Sequence, residues 1–252
     1  MATFAVILPA AGQSSRFQYK NKKKPFVDLS GRAVWIRSAE VFANRKDVIQ
    51  TLVVISPDDR EFFLDKFGPT LAFMGIQVVQ GGKERYSSIE NALSEVRSEA
   101  DHIAIHDAVR PCIANEWIDL VFTEATKTGA AILGIPIHDT LKRGNEKNQI
   151  TETVSREQLW AAQTPQVFRK DLLVKAYQNR GTLPVTDDAQ LMESMGHDVS
   201  LVRGSPLNLK ITTAEDLKLA EAALKVLPRP QTNRPLHPFS DDQSESDLFR
   251  SS

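Results

Sequence analysis

The chain has 252 residues, 41% of them hydrophobic, enough for the core of one large α/β domain or two small ones. A formal net charge of −1 gives no global field for nucleic acid or an anionic membrane, and a single cysteine, Cys112, excludes an intrachain disulfide framework and a thiolate metal cluster. No apolar run reaches the roughly 18 residues of a membrane span, and Met1-Ala2-Thr3 carries no basic leader, so the cytoplasm is the expected compartment.

Phe4-Ala5-Val6-Ile7-Leu8 reads as a buried strand. It runs into Pro9-Ala10-Ala11-Gly12-Gln13-Ser14-Ser15-Arg16, where small residues let the backbone turn sharply and approach a ligand. Arg16 and Lys24 add two cations, which makes a polyphosphate site in outline. By itself this segment reads equally well as an ordinary strand-to-helix turn with surface cations. Residues 34–44 have helical apolar spacing, Thr51–Ile55 is a strand ended by Ser56-Pro57-Asp58-Asp59, and 59–67 reads as a short helix. Gln77–Gln80 is a strand ended by Gly81-Gly82, Ser87–Val96 a helix, and His102–Ile105 a strand entering His106-Asp107-Ala108-Val109-Arg110-Pro111. Residues 116–127 are helical and Ala130–Ile135 is again a strand. This order implies a mostly parallel sheet with helices on both faces. Ligands in such sheets bind beyond the carboxyl ends of the strands, so the loops 9–24, 81–88 and 106–111 are expected to share one edge.

Residues 136–160 break the rhythm. Ile137–Arg143 and Gln149–Val154 flank Gly144-Asn145-Glu146-Lys147-Asn148, the pattern of a polar-looped hairpin. With few large apolar groups it is expected to project, and a symmetric dimer is the simplest source of a partner surface; an exposed hairpin on a monomer is the other reading. Residues 212–226 form a helix with Thr and Glu placed like an N-terminal cap. One domain is therefore expected over 1–227. Residues 228–252 hold four of the 13 prolines and few apolar groups, and read as a disordered tail.

Several residues could carry chemistry. Asp107, at a strand end, suits Mg²⁺ held by one or two carboxylates and phosphate oxygens, and Arg110 suits a second phosphate; an Asp–Arg ion pair closing the loop is the alternative. His106 reads as a packed, hydrogen-bonded histidine rather than a base. Gly81-Gly82-Lys83-Glu84-Arg85-Tyr86-Ser87-Ser88 offers backbone amides, hydroxyls and cations for a base edge or phosphate, or a helix entry capped by Ser87 or Ser88. Thr186-Asp187-Asp188 is a capping signature at the start of a helix over 187–195 and also suits a phosphate. Asn208–Thr212 reads as a short strand with Lys210 turned away from Leu209 and Ile211, either solvated or a phosphate ligand. No Ser-His-Asp arrangement or His-x-x-x-His pair can be assembled. The P-loop pattern and Gly-x-Gly-x-x-Gly are both missing.

Taken together, these segments resemble the 2-C-methyl-D-erythritol 4-phosphate cytidylyltransferases of non-mevalonate isoprenoid synthesis. The resemblance runs over about residues 4–226, in the family's order. It is carried by Pro9-Ala10-Ala11-Gly12 through Arg16, Lys24, Gly81-Gly82 with Arg85 and Ser88, and His106–Pro111. It continues with Asp139-Thr140-Leu141-Lys142-Arg143, Thr153–Trp160, Gln163-Thr164-Pro165-Gln166, Thr186-Asp187-Asp188-Ala189 and Asn208-Leu209-Lys210-Ile211-Thr212. It implies a Rossmann-like nucleotidyltransferase fold with a projecting hairpin arm that forms a homodimer. Pro9, Ala10, Ala11 and Gly12 would cradle CTP phosphates, while Gly82, Lys83, Arg85, Ser88, Asp107 and Ala108 would complete the nucleotide site. Arg16 and Lys24 would be catalytic, stabilising charge at the α-phosphate. Asp107 would also position Mg²⁺. With Asp107, the residues Arg110, Thr140, Thr164, Thr186 and Lys210 would surround the polyol phosphate, and Arg156 would reach the partner's site. Pro25-Phe26 after the lysine run selects Lys24 as the matching lysine. Ser14 stands where many relatives carry glycine, and Lys83 where an acidic residue is common.

Ribitol 5-phosphate cytidylyltransferases share the fold and the nucleotide but usually open with Ala-Gly-Gly. Pro9-Ala10-Ala11-Gly12, Thr153-Val154-Ser155-Arg156 and Leu159-Trp160 favour methylerythritol phosphate. A silent nucleotide-binding protein on this fold is a third reading, and the presence of both Arg16 and Lys24 argues against it.

Overall fold

In the computed structural model, which describes residues 1–12, 23–181 and 186–228, the alternating pattern becomes a seven-stranded sheet covered on both faces. In chain order the elements are β1 (Phe4–Pro9), β2 (Asp28–Leu29), β3 (Arg32–Ala33), α1 (Val34–Ala43), β4 (Val48–Ile55), α2 (Arg60–Met74), β5 (Ile76–Gln80) and α3 (Arg85–Ser94). They continue as β6 (His102–Ile105), α4 (Asn115–Thr128), β7 (Ala130–Pro136), β8 (Leu141–Gly144), β9 (Ile150–Val154) and β10 (Trp160–Arg169). The last four are α5 (Lys170–Gln178), α6 (Asp188–Ser194), β11 (Ser200–Arg203) and α7 (Ala214–Val226).

The sheet order is β11-β7-β10-β6-β1-β4-β5. Only β10 runs antiparallel, between β6 and β7. Alternation along the strands explains the double cover. Val6 and Leu8 of β1 join Val53 and Ile55 of β4 under Trp35, Phe42, Phe63, Phe67 and Phe122 of α1, α2 and α4. Ile7, Leu52 and Val54 face the other way, toward Ile89 of α3, Leu173 and Tyr177 of α5, and Met192 of α6. A smaller apolar cluster seats α7 on Val27 and Leu29.

Several boundaries differ from the sequence reading. α2 runs to Met74 rather than stopping at 67, because Phe63, Phe67 and Leu71 bury on one face and carry the helix past Gly68-Pro69. α3 starts at Arg85, with Glu84 as its cap and Ser87 completing a capping box. In α7 the cap is Thr213, and its box partner is Asp216 rather than a glutamate. Asn208–Thr212 is a loop and not a strand; the hydrogen bond from Ile211 N–H to Val109 O ties it to the loop after β6.

The chain lays β1, β4 and β5 outward to one side and then returns to place β6 on the other flank of β1. The carboxyl ends of β1 and β6 thus bracket the point where strand order reverses, the usual place for a ligand in such a sheet. The first loop (through Gly12), the loop at 81–84 and the loop at 106–111 all leave this edge, as expected. β8 and β9 form a separate two-stranded sheet whose residues are nearly all exposed. Among the described residues no helix is long and apolar enough to cross a membrane. Residues 229–252, read above as most of a disordered tail, lie outside the described residues.

Candidate active site

β10 organises the site. Between Ala162 and Gln166 it advances four residues while β7 advances two, from Gly134 to Ile132. Pro165 cannot donate to a ladder, and this irregularity is where a central strand tolerates it. The side chains around it serve three different loops. Gln163 Nε2 donates to Ser205 O at 2.9 Å, and Thr164 O accepts from Asn208 Nδ2 at 2.8 Å, which fixes the loop carrying Lys210. Thr164 Oγ1 accepts from the backbone N–H of Asp107 at 3.1 Å. Gln166 Oε1 accepts from the N–H groups of Asp188 and Ala189 at 3.0 and 3.1 Å, and its Nε2 donates to Asp187 Oδ2 at 2.8 Å, which fixes the start of α6.

Asp107 sits at the centre, 9% exposed. Lys210 Nζ lies 2.9 Å and Arg110 Nε 3.2 Å from its Oδ2. Burial alone would raise this carboxyl. The charges of Lys210 and Arg110, with Arg85 further off, overcome burial and hold it at about 2, so it is ionised. Arg110 also donates to Asn208 O at 2.7 Å, so the loop-closing ion pair is the arrangement present. Lys210 remains 45% exposed at its side chain and offers its charge to the edge.

His106 is fully buried, and burial pushes its pKa down to about 4. Its Nε2 lies 3.1 Å from Arg110 O, and its Nδ1 lies 3.1 Å from Thr164 Oγ1. A carbonyl only accepts, so Nε2 carries the proton and Nδ1 accepts from the Thr164 hydroxyl. The series from Asp107 N–H through Thr164 and His106 to Arg110 O therefore has one direction. It pins both ends of the Asp107–Arg110 turn. This is the packed, hydrogen-bonded histidine expected from the sequence.

On the nucleotide side, Ala10 is buried, Pro9 and Ala11 are half-buried and Gly12 is exposed. Ala10 N–H donates to Val54 O and Gly81 N–H to Ile55 O, at 2.9 and 2.8 Å, which sets the two loops side by side. A Cβ on Gly81 would lie 2.7 Å from Ala11 Cβ, so only glycine allows this approach. The Ser88 hydroxyl accepts from Gly82 N–H at 3.1 Å and donates to Glu84 O at 3.0 Å, so it shapes the loop from within. Lys83 is exposed and Ala108 fully buried. Arg85, expected at the nucleotide, pairs with Asp188 while its side chain stays 35% exposed. Lys24 opens a single turn of 3-10 helix with Pro25. Arg16 lies outside the described residues.

Thr186 is exposed beside α6, where Asp187 rather than Thr186 is the cap, accepting from Gln190 N–H at 3.1 Å. Thr140 and Arg156 are exposed on the arm, outside this hydrogen-bonded cluster. The structure thus brings Asp107, Arg110, Thr164 and Lys210 together directly. Gln166, Asp188 and Tyr177 had no individual role in the sequence reading. A glutamine beside a proline in a strand was the available signal for the first.

A mostly parallel α/β sheet with small-residue and charged loops gathered at its switch point is a Rossmann-like architecture suited to binding a nucleotide there. Residues 4–226 match the family described as 2-C-methyl-D-erythritol 4-phosphate cytidylyltransferase. The chain belongs to this family, whose members transfer a cytidylyl group to methylerythritol phosphate in non-mevalonate isoprenoid synthesis. It is 40% identical over 235 residues to the enzyme of that name from Rhodopirellula baltica, covering 88% of this chain and 95% of the relative. It is 38% identical over 226 residues to that from Bacillus velezensis, covering 88% and 96%. The crystal structure of the Thermus thermophilus enzyme of that name matches with a TM-score of 0.74 at 30% identity, covering 90% of this chain and 100% of the other.

Proposed function

We propose that the acceptor phosphate binds at the edge where Lys210 and Arg110 meet Asp107, and that CTP lies across the Ala10–Gly12 and Gly82–Ser88 loops. The observation that carries this is the buried Asp107 carboxylate flanked by two cations, with Lys210 still open to the strand edge. Thr164 and Arg110 shape the acceptor side from behind, and Thr186 and Thr140 border it. The acceptor's phosphate attacks the α-phosphorus of CTP in line; the new P–O bond forms as the bond to pyrophosphate breaks. A phosphate monoester is already anionic, so no strong general base is required. Neutral His106, buried beneath the loop, is consistent with that. The barrier lies in bringing anions together and holding charge at the α-phosphorus, which is the work assigned to Arg16 and Lys24.

Asp107 fits one Mg²⁺ ligand, because it is ionised, and Mg²⁺ commonly takes one carboxylate with phosphate oxygens supplying others. Among the described residues no group of three His, Cys, Asp or Glu side chains could hold a metal, so the nucleotide would share in its binding. Bound there, the ion would neutralise charge on the triphosphate. The exposed arm, with Ile150 68% and Leu159 40% exposed, supports a homodimer in which Arg156 reaches the partner's site. Residues 1–227 act as one cytidylyltransferase domain in this reading, and the enzyme works in the cytoplasm.

The test is pyrophosphate release with CTP and Mg²⁺, run in parallel with methylerythritol 4-phosphate and ribitol 5-phosphate. Wild type should strongly prefer the former, and Lys210→Ala should raise the acceptor KM well above any change in CTP KM. Equal rises in both, or none, would refute the placement of the acceptor phosphate.

A further inference from the structure

Arg85 and Asp188 are 103 residues apart and join the two halves of the site. Arg85 opens α3 directly after the Gly81–Glu84 loop, and Asp188 opens α6 directly after Thr186 and Asp187. The guanidinium grips both carboxylate oxygens, with Nη1 3.1 Å from Oδ1 and Nη2 on Oδ2. Tyr177 Oη donates to the same Oδ1 at 2.6 Å from α5. The Asp188 side chain has no exposure, while that of Arg85 keeps 35%. Asp188 therefore cannot touch a substrate, and its backbone is held separately by Gln166. The side chain of Asp188 is thus free of the task of anchoring its own helix end, and its partners are Arg85 and Tyr177.

We infer that Arg85 is a positioning residue that acts through Asp188, setting the distance between the nucleotide loop and the Thr186 end of α6, rather than a ligand of the nucleotide. This rests on the placement of CTP and acceptor proposed above. A carboxylate held by a two-pronged guanidinium and a phenol has one geometry, so the two loops cannot slide independently. Burial disfavours the charge of Arg85, yet Asp188 outweighs burial and holds its pKa above the ordinary arginine value. Lysine in place of Arg85 would supply a charge without the planar fork.

The experiment is a double-mutant cycle on the full chain, with Arg85→Ala, Asp188→Ala and both together. It is run with CTP affinity by calorimetry and with kcat and both KM values, well below each variant's unfolding temperature. Each single change should lower kcat and raise the acceptor KM, costing kcat/KM on the order of 10- to 100-fold, as expected for misplaced loops. The double variant should be no worse than the weaker single, and the two singles should have CTP dissociation constants within about threefold of each other. Arg85→Lys should fail to restore the acceptor KM. A multiplicative double variant, or a CTP affinity that collapses in Arg85→Ala but survives in Asp188→Ala, would overturn the inference. Should Asp188→Ala not fold, Asp188→Asn keeps a side chain of the same shape and must show the acceptor KM rise in weaker form; an unchanged acceptor KM there would also overturn it. Wild-type turnover in the same assay separates the outcomes, since its failure strikes the substrate placement and not the clasp alone.

Discussion

His106 makes the stability of the enzyme depend on pH over a window where few other groups act. In the unfolded chain its imidazole titrates near the ordinary 6.5, and in the folded protein burial lowers this to about 4. Between those values the unfolded state binds the extra proton, so stability is complete above the unfolded value and declines as pH falls toward the folded one. From pH 7 to pH 5 the loss attributable to this group is about 2 kcal/mol. Asp107 follows the same sign at lower pH: its folded value of about 2 lies below the ordinary carboxyl value, so its contribution disappears only in strong acid. The perturbation is His106→Asn, which removes the titration and can still accept from Thr164 but leaves Arg110 O without its donor. At pH 7 the variant should be less stable by about 1–3 kcal/mol. Urea unfolding of both proteins at pH 7 and pH 5 is the assay. Wild type should lose about 2 kcal/mol more than the variant across this interval. The depressed pKa of His102 has the same sign but is common to both proteins and cancels. Equal losses, or a His106 ring resonance titrating near 6.5 in the folded enzyme, would refute the reasoning.

Lys24→Ala should lower kcat by about 100-fold or more if Lys24 stabilises charge at the α-phosphate, and steady-state pyrophosphate release reads this directly. Gly81→Ala would push a methyl to 2.7 Å from Ala11 Cβ and 3.3 Å from Ile55 O. It should cost about 1–3 kcal/mol of stability and weaken CTP binding, measured by thermal unfolding and calorimetry; a neutral outcome would mean the two loops are not held in contact. Mixing Lys24→Ala with Arg156→Ala subunits should restore about one quarter of wild-type activity, because half of the random dimers then carry one intact site. No recovery after verified subunit exchange would place Arg156 in its own subunit's site or outside the reaction.

Local pattern carried much of the fold into view. Alternating apolar runs and helical spacing identified β1, β4 to β7 and the helices between them, since burial on two faces writes a direct signature in the chain. The polar loops after β1, β5 and β6 were legible as one edge for the same reason, and the ordered motifs over 4–226 carried the family. The helix beyond Gly68-Pro69 was not legible, because it is held by distant packing rather than by local preference. Nor was the loop character of Asn208–Thr212, which follows from tertiary hydrogen bonds to Val109, Gln163 and Thr164.

Residue types alone could nominate Asp107, Arg110, Thr164 and Lys210 as polar groups at loop positions, but their partners were a matter of three dimensions. An arginine in a loop carries the same local signal whether it faces a phosphate or a buried carboxylate 103 residues away, and Arg85 faces Asp188. The tautomer of His106 depends on a carbonyl and a hydroxyl that meet it only when the loop after β6 closes against β10. Sequence by itself determined five of the seven strands, the working edge and the family, because burial periodicity and motif order are written along the chain, whereas β10 and β11 emerged only from pairing in three dimensions. The tertiary structure decided which charges neutralise one another and which remain for substrate, because pairing depends on distances between segments that no local pattern records.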